Sequence, residues 1–277
     1  SNEDKVKLYA AFGGVPFYNK QIDPKLTVKE NIINLLSGQF SHLLSEITSN
    51  IKEELVKINN AYTVFSSIAG GAFHYSDILA KSRINITSSL YDTLEVLRKM
   101  DLISYVCPIN DKNNKKKFGY VLTDSAVFFY YKFIYHNLSS QNILNDEMFY
   151  DNYMEEGFLN DFVPKAFEKI AKQYLIRKNM EGLIKPFIED IGTYWYDNPK
   201  EKKNGQFDLV TKSKDGYIVY EVKFTNSKID NKIVKEEISQ IAETNLNPIN
   251  FGFVSKSGFD ISNDNNYILI SLDDIYY

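Results

Sequence analysis

Between Leu8 and Leu55 apolar residues recur at steps of three and four, among them Ile32, Ile33, Leu35, Leu36, Phe40, Leu43, Leu44 and Ile47. This is the spacing of helices that bury one stripe. Gly13-Gly14-Val15-Pro16 interrupts the pattern. A second helical unit starts near Ala61, with Ser76 as N-cap of a short helix Asp77–Lys81 and Thr87 or Ser88 as cap of the next. Leu90, Leu94, Leu97 and Met100 line one stripe of that helix. Two short helices about a tight turn predict a helix-turn-helix. The extended runs Leu102–Pro108 and Phe118–Leu122 flank the polar turn Asn110–Lys117 and predict a β-wing. The aromatic stretch Val127–Tyr135 reads as a buried connecting helix.

From about Phe158 the pattern changes. A helix with Phe162, Ala166, Phe167, Ile170, Ala171 and Tyr174 inward precedes five strand candidates: Gly192–Tyr196, Gln206–Thr211, Gly216–Phe224, Asn250–Ser255 and Tyr267–Leu272. A helix near Asn231–Thr244 separates the third from the fourth, and Lys214-Asp215-Gly216 closes a hairpin. The chain is therefore expected to be an α+β multidomain protein. Residues 1–60 form a helical segment, 61–125 a winged helix and 126–157 a connecting helix and linker. Residues 158–277 form an α/β domain with a mixed five-stranded sheet.

Composition narrows the function. The 277 residues are 44% hydrophobic and 25% charged, within the globular range. No apolar run approaches the roughly 18 residues of a membrane span, and no signal segment opens the chain, so no membrane partner and a cytoplasmic location are expected. The single cysteine, Cys107, excludes an internal disulfide. A formal charge of −4 confines any nucleic-acid contact to a local patch. With arginine only at Arg83, Arg98 and Arg177, such contact should favour backbone over bases. The wing lysines Lys112, Lys115, Lys116 and Lys117 are the candidates, although a lysine-rich turn is also an ordinary solvated loop.

Chemistry concentrates in the hairpin. Strand alternation places Glu221 and Lys223 on one face, and Asp208 on the preceding strand can reach that face if the register allows. Two carboxylates and a backbone carbonyl, that of Val222, make a hard oxygen site suited to Mg2+ or Mn2+. Lys223 would neutralise charge developing on a phosphoryl group. The spacing alone is common, since Glu3/Lys5, Asp23/Lys25, Glu201/Lys203 and Asp230/Lys232 share it, but only Glu221/Lys223 lies in an apolar strand. The plain alternative is a half-exposed sheet face carrying ordinary ion pairs.

The set Phe167-Glu168, Asp208 and Glu221-Val222-Lys223 resembles the PD-(D/E)XK, or restriction-endonuclease-like, nucleases, with Phe207 where the pattern has proline. The resemblance implies Asp208, Glu221 and the Val222 carbonyl as metal ligands, Lys223 as charge stabiliser and Glu168 as auxiliary acid. Gln240 falls where such nucleases place a polar residue on the following helix.

Gly13-Gly14-Val15-Pro16-Phe17-Tyr18, Lys29-Glu30-Asn31-Ile32, the helix-turn-helix, the wing and the acidic set together resemble an AAA-type ATPase family of archaea and bacteria. That family carries a P-loop ATPase, a helical lid, a winged helix and a C-terminal domain of unknown function 234. Residues 1–60 would be the lid. No Gly-x-x-x-x-Gly-Lys-Ser/Thr occurs, so ATP would bind only in a missing N-terminal domain, itself an expected partner. The expected activity is Mg2+- or Mn2+-dependent DNA cleavage. A catalytically silent regulatory module and a regulator acting through the winged helix stay as rivals, and oligomer formation stays open.

Overall fold

The structure is a computed structural model that describes residues 1–84, 87–198, 203–261 and 266–277. The chain divides into two compact units. Among the described residues no helix is long and apolar enough to cross a membrane.

The helical unit comprises Lys7–Val106 and Lys116–Phe162. It takes in most of α1 (Asn2–Phe12), then α2 (His42–Leu55), α3 (Ala61–Ala69), α4 (Tyr75–Ser82) and α5 (Thr87–Lys99). A two-stranded antiparallel ribbon, β1 (Ile103–Val106) with β2 (Gly119–Leu122), and α6 (Asp146–Tyr153) follow. The interruption after α1 has a local cause. Gly13 sits at φ +64°, which disfavours any side chain, and a Cβ there would stand 3.1 Å from the Ser125 hydroxyl. Pro16 then starts a short helix, Pro16–Asn19. Asn31 is 2% exposed and donates to the carbonyls of Asp23, Leu26 and Thr27, while Thr27 and Glu30 form a capping box. The core is aromatic: Phe12, Phe65, Phe129, Tyr131, Phe149 and Phe158 are all buried.

Local details depart from the pattern-based expectations. The cap before α4 is His74, whose N–H donates to Asp77 at 3.0 Å, so Ser76 lies inside the helix. Thr87 and Ser88 are already helical in α5, and the residues before them, 85–86, lie outside the described set. Leu90, Leu94 and Leu97 are buried, but Met100 is 40% exposed because the helix ends at Lys99.

The second unit contains Ser1–Val6, Cys107–Lys115 and Val163–Tyr277. Its elements are α7 (Val163–Met180), β3 (Asp190–Asn198), β4 (Lys203–Ser213), β5 (Gly216–Lys223), β6 (Ile229–Asp230), α8 (Asn231–Ala242), β7 (Asn250–Ser255), β8 (Phe259–Asp260), β9 (Ile268–Ser271) and α9 (Leu272–Tyr276). The main sheet is mixed, in the order β3-β4-β5-β7-β9. The first two pairings are antiparallel and the last two parallel. All five strands coincide with the apolar runs that predict them.

Both faces of this sheet are packed, as an α/β arrangement requires. Phe207, Val210 and Val219 join Ile241 and Leu246 in one cluster. Phe167 of α7 meets Phe224 edge-on at 5.1 Å. On β7, Gly252 is fixed by contact: a Cβ there would sit 2.2 Å from the Tyr220 ring.

Candidate functional site

The hairpin β4–β5 sets the site's geometry. Leu209 pairs with Tyr220, so the next residues outward, Asp208 and Glu221, emerge side by side. A bulge falls at this point. On the β3 side Gly192 pairs with Val210 but Tyr194 pairs with Phe207, leaving Asp208 and Leu209 opposite Thr193 alone. An extra residue bends the strand and re-aims its side chain. The bulge explains how Phe207 and Val210 reach the same core cluster while Asp208 stays exposed, its carboxylate accepting from Gln206 at 2.6 Å.

Glu221 and Lys223 share a face through alternation and form an ion pair of 2.6 Å. Lys223 holds a second carboxylate, Glu237 of α8, at 2.9 Å. The three side chains are 32%, 31% and 21% exposed, so the cluster is largely withdrawn from water. The sequence reading missed Glu237, although a signal exists. It stands three residues after Val234 and four before Ile241, the two buried residues of α8, so it is an acid inside an apolar stripe.

Glu168 is half-buried one residue after Phe167, which is wholly buried. Its carboxyl is pushed up to about 7, first by burial, then by the charge of Asp208 and, less, of Glu221, against the opposing Lys165. Glu221 is also raised, chiefly by burial, with Lys223 opposing. Burial alone would lower Lys223, yet its hydrogen bonds and ion pairs with Glu221 and Glu237 hold it above the ordinary lysine value. Acids from α7, β4 and β5 therefore share one electrostatic field.

The donor set suits a hard divalent cation in kind, since carboxylates and a strand carbonyl are the ligands such ions take. Among the described residues, however, no group of three or more His, Cys, Asp or Glu is arranged to hold a metal ion. The group that a cation would displace is visible: Lys223 occupies the Glu221 carboxylate.

The remaining candidates disperse. Gln240 is exposed on α8. Lys112 is paired with Asp190 at 2.5 Å. It belongs to a segment, Cys107–Lys115, that counts with the sheet unit: Ile109 enters the sheet core and Asn110 donates to the Trp195 carbonyl at 2.8 Å. The four lysines expected on one wing tip thus divide, Lys112 and Lys115 with the sheet unit, Lys116 and Lys117 with the helical one. Glu201 lies outside the described residues.

Residues 130–239 match a family described as archaeal and bacterial proteins of unknown function, DUF234. This domain is commonly found in AAA-like ATPases. The matched span holds Glu168, Asp208, Glu221, Lys223 and Glu237, and stops one residue short of Gln240. Over 198 residues the chain is 26% identical to "Uncharacterized protein MJECL04" of Methanocaldococcus jannaschii, covering 70% of this chain and 43% of that protein. The chain therefore spans less than half the length of that relative. A solved structure, protein VC1899 from Vibrio cholerae, aligns with 90% of this chain and 57% of that one at 10% identity. Its TM-score of 0.28 gives no shared fold to argue from.

Proposed function

We propose that the sheet unit is a PD-(D/E)XK-like, metal-dependent phosphodiesterase acting on DNA, with its site at Glu168, Asp208, Glu221 and Lys223. The observation that carries this reading is the meeting of acids from three elements: Asp208 and Glu221 emerge side by side from the β4–β5 hairpin, Lys223 shares the face of Glu221, and the charges of both acids act on Glu168 of α7. Perturbed acids gathered from separate elements mark functional sites more often than structural ones. Asp208, Glu221 and the Val222 carbonyl would hold Mg2+ or Mn2+. Bound there, the ion supplies Lewis acidity and a water of lowered pKa. Lys223, released from Glu221 but still held by Glu237, meets the charge that develops on the phosphoryl oxygens. Glu168 would accept the proton that the attacking water gives up.

Purified protein with Mg2+ or Mn2+ should cut DNA, and Asp208→Ala or Glu221→Ala should abolish cutting. Unchanged cutting in both variants would overturn the assignment.

A second reading is favoured by one observation, the clasp of Lys223 between Glu221 and Glu237. In that reading the fold is catalytically silent and regulates an ATPase. Millimolar Mn2+ then leaves the melting temperature unchanged, whereas a cation gathered by the carboxylates raises it.

For the whole protein we propose an AAA-type ATPase whose P-loop lies outside this sequence, supported by the match at residues 130–239. The order α3-α4-α5-β1-β2 supports a winged helix. Its third helix engages Arg98 with Glu95 at 3.0 Å, which favours a rigid or protein-contacting module over a DNA reader.

A further inference from the structure

The carboxyl ends of the parallel strands β5 and β7 carry a second cation that the proposed chemistry does not use. Lys256 follows Ser255, the residue registered with Lys223, and its N–H donates to the Lys223 carbonyl at 3.0 Å. Its ammonium lies 5.2 Å from the centre of the Phe224 ring. By alternation, Phe224 occupies the face opposite Lys223. The two lysines thus sit on either side of the same strand ends. In open α/β sheets ligands collect beyond the carboxyl ends of the strands.

The Lys256 side chain is only 9% exposed. An ammonium withdrawn that far needs anionic or polar partners. One is Asn226 Oδ1 at 2.5 Å, and the other is the carboxylate of Glu3 at 3.4 Å. The loops around it, Thr225–Lys228 and Ser255–Gly258, are tied together. Ser257 Oγ donates to the Thr225 carbonyl at 2.6 Å, and Ser255 Oγ to the Gly258 carbonyl at 2.9 Å. The pocket for the lysine is therefore built by its own loops, and Glu3 comes from a segment remote in sequence. The Glu3 contact is looser than the 2.6 Å pair of Lys223 with Glu221, and Glu3 is 37% exposed. The carboxylate end of the pair meets water, so another anion can compete with it for the ammonium from that side.

We infer that Lys256, with the loops Thr225–Lys228 and Ser255–Gly258, binds a phosphate group of a polynucleotide backbone, and that the Glu3 carboxylate fills this site until such a phosphate displaces it. The identity of the ligand rests on the phosphodiesterase reading; the site itself does not. A strand crossing the sheet edge would meet Lys223 at the scissile phosphate and Lys256 at a neighbouring one. Lysine suits this task, since it meets phosphate as a point charge without reading bases.

The test is calorimetric titration of the whole chain in excess EDTA, with inorganic phosphate and, separately, a four-residue oligothymidylate. Removing an internal competitor raises the apparent affinity, so Glu3→Gln should bind both ligands about tenfold more tightly than the parent. Adding Lys256→Met should erase the gain. Should that variant fail to fold, Asn226→Asp, an exposed change that sets a carboxylate beside Lys256, should erase it as well. Equal affinity in the parent and Glu3→Gln, or a gain that survives Asn226→Asp, would overturn the inference. Tightening towards phosphate without tightening towards the oligonucleotide would overturn the backbone assignment. The titration contains no metal and reads no cleavage, so an inactive site at Asp208 and Glu221 would leave the gain in Glu3→Gln intact.

Discussion

Two clusters of charge, one in each unit, look alike in composition and differ in balance. On α5 and β1, Glu95 accepts from both Arg98 and Tyr105, and its carboxyl is held below the ordinary value by those hydrogen bonds. On α7, β4, β5 and α8, four acids share one field: Lys223 pairs with Glu221 and Glu237, Asp208 acts on Glu168 and Glu221, and both Glu168 and Glu221 are pushed upward. The first cluster is satisfied as it stands. In the second, burial raises Glu168 and Glu221 in spite of the neighbouring Lys165, Lys169 and Lys223, and a cation would relieve both. A fold keeps such an unrelieved cluster at some cost in stability, and functional sites are where that cost is commonly met.

The sharpest way to break this contrast is chemical. Asp208→Ala and Glu221→Ala should each reduce Mn2+-dependent cleavage to background, while Glu95→Gln leaves it unchanged; a gel assay of nicked DNA reads the difference. Next comes packing. Phe167→Ala removes the ring that seats α7 on the sheet and should cost about 3–5 kcal/mol in urea unfolding of the sheet unit.

The third effect depends on pH. Because the folded state raises the Glu168 carboxyl to about 7 from 4.5, the folded form binds its proton more tightly than the unfolded form. The associated stability is complete below about 4.5 and is lost as the pH rises through about 7. Glu168→Gln should therefore be more stable than the parent at pH 8, by at most about 3.5 kcal/mol at roughly 1.4 kcal/mol per unit, and equal to it near pH 4. Denaturation curves at the two pH values check this. The smallest effect has the opposite sign. Glu95 is lowered on folding, so its contribution is present at neutral pH and lost on acidification. Glu95→Gln should slightly destabilise at pH 7 and do nothing near pH 3.

Much of the sheet unit was legible because period-two alternation in Gly216–Phe224 and compact apolar runs such as Asn250–Ser255 leave few other solutions. Its site was legible to the extent that alternation decides faces, which united Glu221 with Lys223. The bulge at Asp208 was not, since it depends on which residue of β3 lies opposite. Glu237 escapes because the pattern places the helix Asn231–Thr244 without assigning which face of it turns inward. The polar turn Asn110–Lys117 reads as a wing tip from its lysines, yet Ile109 beside it decides the place of Cys107–Lys115 by entering the sheet core. The helical unit was less legible. In its first 60 residues the pattern shows the break at Gly13–Pro16 but not the non-helical stretch before Thr27, which Asn31 holds by side-chain hydrogen bonds, nor the end of the helical run at Gly38.

Gly252 sets a mechanical tolerance for the site. Tyr220 lies against its bare backbone, and the residue after Tyr220 is Glu221. Any side chain at 252 would have to lift the ring, and the lift would travel one peptide along the strand to the carboxylate. A glycine on the neighbouring strand thus sets how accurately Glu221 is aimed.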